Sequence, residues 1–95
     1  MSSKESYEKK LQAQLDEWSA EIDKLKAKAN QAEADAEIDY NKQIDELESK
    51  RDQAAQKLEE VKASSGDAWQ DLKAGIQKAW DSLGQAVKSA SDRFK

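Results

Sequence analysis

With 95 residues, sixteen Lys and Arg against twenty Asp and Glu, a net charge of −4 and neither Cys nor His, the chain has no disulfide framework, no thiol chemistry and none of the common structural zinc sites. Its acidic balance leaves no basic surface for nucleic acid, and its length allows one small domain with a thin core. Charged residues at 38 %, hydrophobic ones at 37 %, no Pro and a mean hydropathy of −1.07 describe a solvated helix or coiled coil rather than an enzyme-sized globule.

The opening stretch MSSKESYEKK has no apolar signal core and no small-residue cleavage pattern, and no run reaches the length of a membrane span. The expected setting is cytoplasmic.

From Met1 to Ser65 there is neither Gly nor Pro, and strong helix formers dominate. Apolar positions Leu11, Leu15, Trp18, Ile22, Leu25, Ala29, Ala32 and Ala36 alternate spacings of four and three, the heptad seam of a coiled coil. The seam passes through Tyr40, Ile44 and Leu47 with one eleven-residue step, which locally relaxes a supercoil. Arg51, Ala54, Leu58 and Val61 complete it, Arg51 burying its stem while its head reaches a carboxylate at the edge. Tyr7 is read as a further seam residue.

Lys24, Lys26 and Lys28 form a basic cluster and Glu33, Asp35, Glu37 and Asp39 an acidic one, whose like charges at i, i+4 repel within one helix. Folding the pattern about residue 31 places Ile22 opposite Tyr40, Trp18 opposite Ile44, Leu15 opposite Leu47 and Leu11 opposite Arg51. It also brings Lys24 towards Asp39, Glu21 towards Lys42, Lys10 towards Asp52 and Glu5 towards Lys57. The seam therefore favours antiparallel pairing. A hairpin near Asn30, giving a three-helix bundle, and a dimer of straight helices would use the same contacts. The absence of Gly and Pro from KAKANQAEADAE favours the straight helix and the oligomer.

Ser64, Ser65 and Gly66 interrupt the pattern, with Gly66 read as a left-handed cap and Asp67 as the N-cap of the next helix. The expected organisation is a long coiled-coil helix within residues 1–63, a hinge at 64–67, and an amphipathic helix at 68–95.

The last segment repeats itself: WQDLKAGIQKA is followed directly by WDSLGQAVKSA. Eleven residues make close to three helical turns, so Trp69, Leu72, Ile76, Trp80, Leu83, Val87 and Phe94 return to one nearly straight stripe. Asp71, Lys78, Asp81, Ser89 and Asp92 lie away from it. Gly75 and Gly84 weaken the helix in isolation, so the stripe needs a surface: the chain's own long helix or another subunit, a lipid interface, or a groove on another helical protein. Residues 66–95 carry five bases and four acids, whereas residues 1–65 carry eleven bases and sixteen acids. Attraction to anionic lipid is slight, and the contrast favours docking on the acidic helix.

LQAQLDEWSAEIDKLKAKA together with SGDAWQDLKAGIQKAWDSLGQAVKSASDRF resembles a group of small bacterial proteins described only as coiled-coil domain-containing. That likeness covers most of the chain and implies bacterial origin and a helical fold, without a catalytic residue. More distantly, the eleven-residue unit is similar to those of exchangeable apolipoproteins, whose helices are often punctuated by Pro, absent here.

Glu33, Asp35, Glu37 and Asp39 wind around a helix instead of converging for acid–base work. Asp45, Glu46 and Glu48 lack the turn of a calcium loop, the three Gly form no phosphate loop, and Ser64 and Ser65 have no partner base. The reading is an all-α, non-enzymatic protein with no cofactor, metal or small-molecule substrate. Its expected work is self-assembly through Leu11, Leu15, Trp18, Ile22, Leu25, Tyr40, Ile44, Leu47, Leu58 and Val61, with the Trp helix docked on the assembly and a stress-related setting. A peripheral membrane-surface or lipid-binding role is the alternative, and a desiccation protectant the second.

Overall fold

The computed structural model describes residues 3–93, which form three helices, α1 (Ser3–Asn30), α2 (Ala34–Ala63) and α3 (Trp69–Arg93). The all-α class expected from the sequence is the one adopted, in its three-helix form. At 1.5 Å per residue helices of 28, 30 and 25 residues account for the 51 Å long axis of a rod 19 × 18 Å across.

The continuous helix expected over residues 1–63 is divided by a reversal at residues 31–33. The Gln31 and Ala32 N–H groups donate to the carbonyls of Lys28 and Ala29, each at 3.1 Å, tightening the last turn of α1. Glu33 is extended, with φ −64° and ψ 155°, and no side chain caps α2. Charge placement supplies a physical reason for the break. Lys28 lies in the last turn of α1, and Asp35 and Glu37 lie in the first turn of α2, where each complements the nearby end of a helix dipole. The clusters that repel within one long helix are thus stabilising at two helix ends.

α2 stops at Ala63, where the Ser64 N–H reaches the carbonyls of Glu60 and Val61 and Ser64 Oγ donates to Val61 O at 2.6 Å. Gly66 has φ +57° as expected, but it lies in the turn leading into α3, beyond the C-cap at Ser64. At Asp67 the backbone carbonyl accepts the Gln70 N–H at 3.0 Å. The joint spans residues 64–68, one residue longer than expected.

The core lies on the axis between all three helices. Its largest fully buried side chains come two from each: Ile22 and Leu25, Leu58 and Val61, Ile76 and Leu83. Each contributes roughly 1.5 to 3 kcal/mol of apolar burial.

Candidate functional site

The stripe of α3 is the most concentrated apolar surface in the chain, and α1 and α2 cover it. Trp69, Ile76, Trp80, Leu83 and Val87 are buried, and Leu72 is partly buried against them. Phe94, assigned to the same stripe, lies outside the described residues. Asp71, Lys78, Asp81, Ser89 and Asp92 are all exposed.

The expected seam residues supply the opposite walls. Leu11, Leu15, Ile22, Leu25, Ile44, Leu47, Leu58 and Val61 are buried, while Trp18 and Tyr40 are partly buried against the cluster. Seam and stripe therefore meet inside one chain. Arg51 behaves as its position implies: its guanidinium lies 3.7 Å from Glu48 and 3.5 Å from Asp52. Ile38, 68 % exposed, is the one large hydrophobic left in solvent among the described residues.

Helices α1 and α3 run side by side in the same direction, as the order of their contacts shows. Tyr7 meets Trp69 with ring centroids 5.4 Å apart, Trp18 meets Gly84, and Ser91 Oγ donates to Glu21 Oε1 at 2.9 Å. The Lys73 ammonium sits 4.6 Å from the Trp69 ring centroid and 5.5 Å from that of Tyr7, a shared cation–π contact. Between α2 and α3, Lys50 Nζ donates to Ser82 Oγ at 2.8 Å. Lys4 Nζ donates to the carbonyls of Ser64, at 2.6 Å, and Lys62, at 3.4 Å. A cation there complements the C-terminus of α2 and ties α1 to the joint.

Two buried polar atoms in this region, Tyr7 Oη and Trp80 Nε1, have no hydrogen-bond partner among the described residues. Both residues line a groove of about 340 Å³ between α1 and α3, with Leu11, Gln14 and Ile76. Burial raises the Tyr7 phenol above its ordinary value of 10.0 by desolvating the phenolate.

The charge pairs expected across the hairpin are not among the ion pairs of the described residues. Among the described residues Lys26 of α1 pairs with Glu48 of α2, 3.4 Å apart. The mirror pattern centred on residue 31, whereas the reversal centres on Ala32. The Lys73–Tyr7 and Ser91–Glu21 contacts escape a sequence reading because they depend on how α3 lies against α1, and the Lys4 contacts because they depend on where the end of α2 meets the start of α1.

Among the described residues no group of three or more His, Cys, Asp or Glu could hold a metal ion, and no helix is long and apolar enough to cross a membrane. The geometry defines an antiparallel three-helix bundle with an aromatic seam between its first and third helices. No protein-family description matches this sequence, and no curated protein or solved structure does either.

Proposed function

We propose that the protein is a cytoplasmic, non-enzymatic helical module whose work is self-association. The observation carrying this reading is that the mirror-patterned seam of α1 and α2, with the Trp stripe docked over both, is satisfied by antiparallel pairing. Such pairing can be completed by the same chain or by another copy through the same contacts. The bundle is the stored unit, and exchange of partners between units builds the assembly. Light scattering coupled to size exclusion over a wide concentration range tests this. A mass above 10.7 kDa that grows with concentration is expected; a mass of one chain throughout overturns the reading.

A second reading, binding of α3 to a lipid interface, is favoured by Trp80 Nε1, which lacks a partner among the described residues. A Trp indole finds a partner for this group at a membrane–water boundary. Addition of anionic and of zwitterionic vesicles tests it: a blue shift of Trp emission supports it, and unchanged emission and helicity remove it.

A further inference from the structure

The reversal between α1 and α2 contains no glycine and no proline. Among the described non-glycine residues none has a positive φ, and no side chain caps α2. Gln, Ala and Glu, the residues of the turn, are all good helix formers. At Glu33 φ is −64°, already helical, and the helical state differs there chiefly in ψ, which would rotate from 155° to about −42°. Neither backbone conformation nor turn chemistry opposes a continuous helix across this turn; the repulsion within the acidic cluster does, and a second copy's basic cluster would relieve it.

A straightened helix would also present one face. Leu11, Leu15, Ile22, Leu25 and Ala29 are buried in α1, and Ile44, Leu47, Ala54, Leu58 and Val61 in α2. The interval from Leu11 to Val61 corresponds to about 14 turns at 3.6 residues each, so both buried stripes fall on the same side of a continuous helix. Ala29, Ala32 and Ala36, at its middle, are small enough for two such helices to pass closely. The charges beside the turn are uncommitted in the hairpin: none of Lys24, Lys28, Glu33, Asp35, Glu37 and Asp39 is ion-paired among the described residues. Two antiparallel helices crossing near Ala32 set the basic cluster of each beside the acidic cluster of the other.

We propose that the hairpin opens at residues 31–33 and that two copies of the chain exchange α1, forming an antiparallel domain-swapped dimer. Each half is a complete three-helix bundle, with α1 of one copy against α2 and α3 of the other. The joint at 64–68 and the packing of α2 on α3 stay within each chain. The Tyr7–Trp69, Trp18–Gly84, Glu21–Ser91 and Lys4–Ser64 contacts are remade between copies, so the dimer needs no new surface. Its partner is a second copy of this chain, and its formation follows concentration by mass action. This inference rests on the self-association reading and names its mechanism.

Ala34→Pro separates the two forms. Ala34 is the first residue of α2 and follows the extended Glu33, the position and the preceding conformation that proline favours, so the hairpin accepts the change. Inside a continuous helix the same proline removes a hydrogen bond and clashes with the preceding turn, disfavouring it about a hundredfold per chain and about ten-thousand-fold per dimer. Because the chain has no Cys, spin labels can be placed at Glu17→Cys and Glu46→Cys. Doubly labelled chains are diluted into unlabelled protein and refolded at high concentration, and label distances are measured by double electron–electron resonance. Neighbouring labels mark the hairpin, whereas a separation of roughly 44 Å marks the continuous helix. The expected result is the long distance in the dimer fraction, and its loss in Ala34→Pro, which remains folded and monomeric by circular dichroism and light scattering. A dimer retaining only the short distance, or one that Ala34→Pro leaves undiminished, overturns the swap while leaving self-association standing. A monomer at every concentration overturns both.

Discussion

Trp18 packs against Gly84 so closely that a Cβ on residue 84 would stand 2.9 Å from the indole Cζ2. Glycine is thus required in α3 by its neighbour on α1, although it weakens the helix that carries it. Gly84→Ala gains up to about 1 kcal/mol of helix propensity but overpacks the contact at a cost of about 1 to 3 kcal/mol, so a net loss is expected in urea unfolding. Gly75 has nothing within 4 Å of an added Cβ, and Gly75→Ala should stabilise by about 0.5 to 1 kcal/mol. In a Trp18→Leu background Gly84→Ala should turn favourable, and a double-mutant cycle should give coupling of about 0.5 to 3 kcal/mol.

Tyr7 provides the pH dependence. Burial raises its folded-state pKa above 10.0, so the folded chain holds the phenol proton to higher pH than the unfolded chain does. Its contribution is fully present below the unfolded value and is lost as pH rises through the folded one. Tyr7→Phe removes a hydroxyl that has no partner among the described residues and keeps the ring against Trp69. Unfolding at neutral pH should show the variant about 1 kcal/mol more stable, and titration above pH 10 should widen its advantage. A variant no more stable than the parent, with the same alkaline slope, would show that the hydroxyl is solvated.

Ile76 and Ile38 form a second contrast. Ile76 is fully buried in α3 and Ile38 is 68 % exposed on α2. Ile76→Ala should cost about 2 to 5 kcal/mol, a large part of the stability of so small a domain. Ile38→Ser should change stability by no more than about 0.5 kcal/mol. Chemical denaturation of both variants checks the pair.

Gly66→Ala tests the joint. With φ +57° and open space around an added Cβ, the substitution meets no neighbour and costs only the left-handed conformation, about 1 to 2 kcal/mol. The loss should appear as a lower thermal midpoint with helicity at low temperature unchanged.

Much of the fold is legible because helical periodicity is a local property. Spacings of three and four mark Leu11 to Val61 as one face, and the eleven-residue repeat marks Trp69 to Val87 as another; every large residue so marked and described is buried or partly buried. The joint is legible because Gly66 supplies a backbone state that other residues resist. The charge clusters were also informative in a way that the heptad phase obscured: a lysine run followed by an acidic run marks a helix end and a helix start.

The sequence by itself determined which faces are apolar, that those of α1 and α2 pair antiparallel, and, to within a residue, where the Trp helix begins. Only the tertiary structure decided that the chain reverses at residues 31–33, that the stripe of α3 is covered by α1 and α2 of the same molecule, and that Trp18 rests on Gly84. The reason lies in the range of the forces. Periodicity, caps and turn chemistry act over a few residues, and Gln31, Ala32 and Glu33 suit a helix as readily as a turn. Within one chain only their reversal lets Lys4 reach Ser64, Tyr7 meet Trp69 and Lys26 meet Glu48, contacts that join residues far apart in the chain and exist only once the helices have packed.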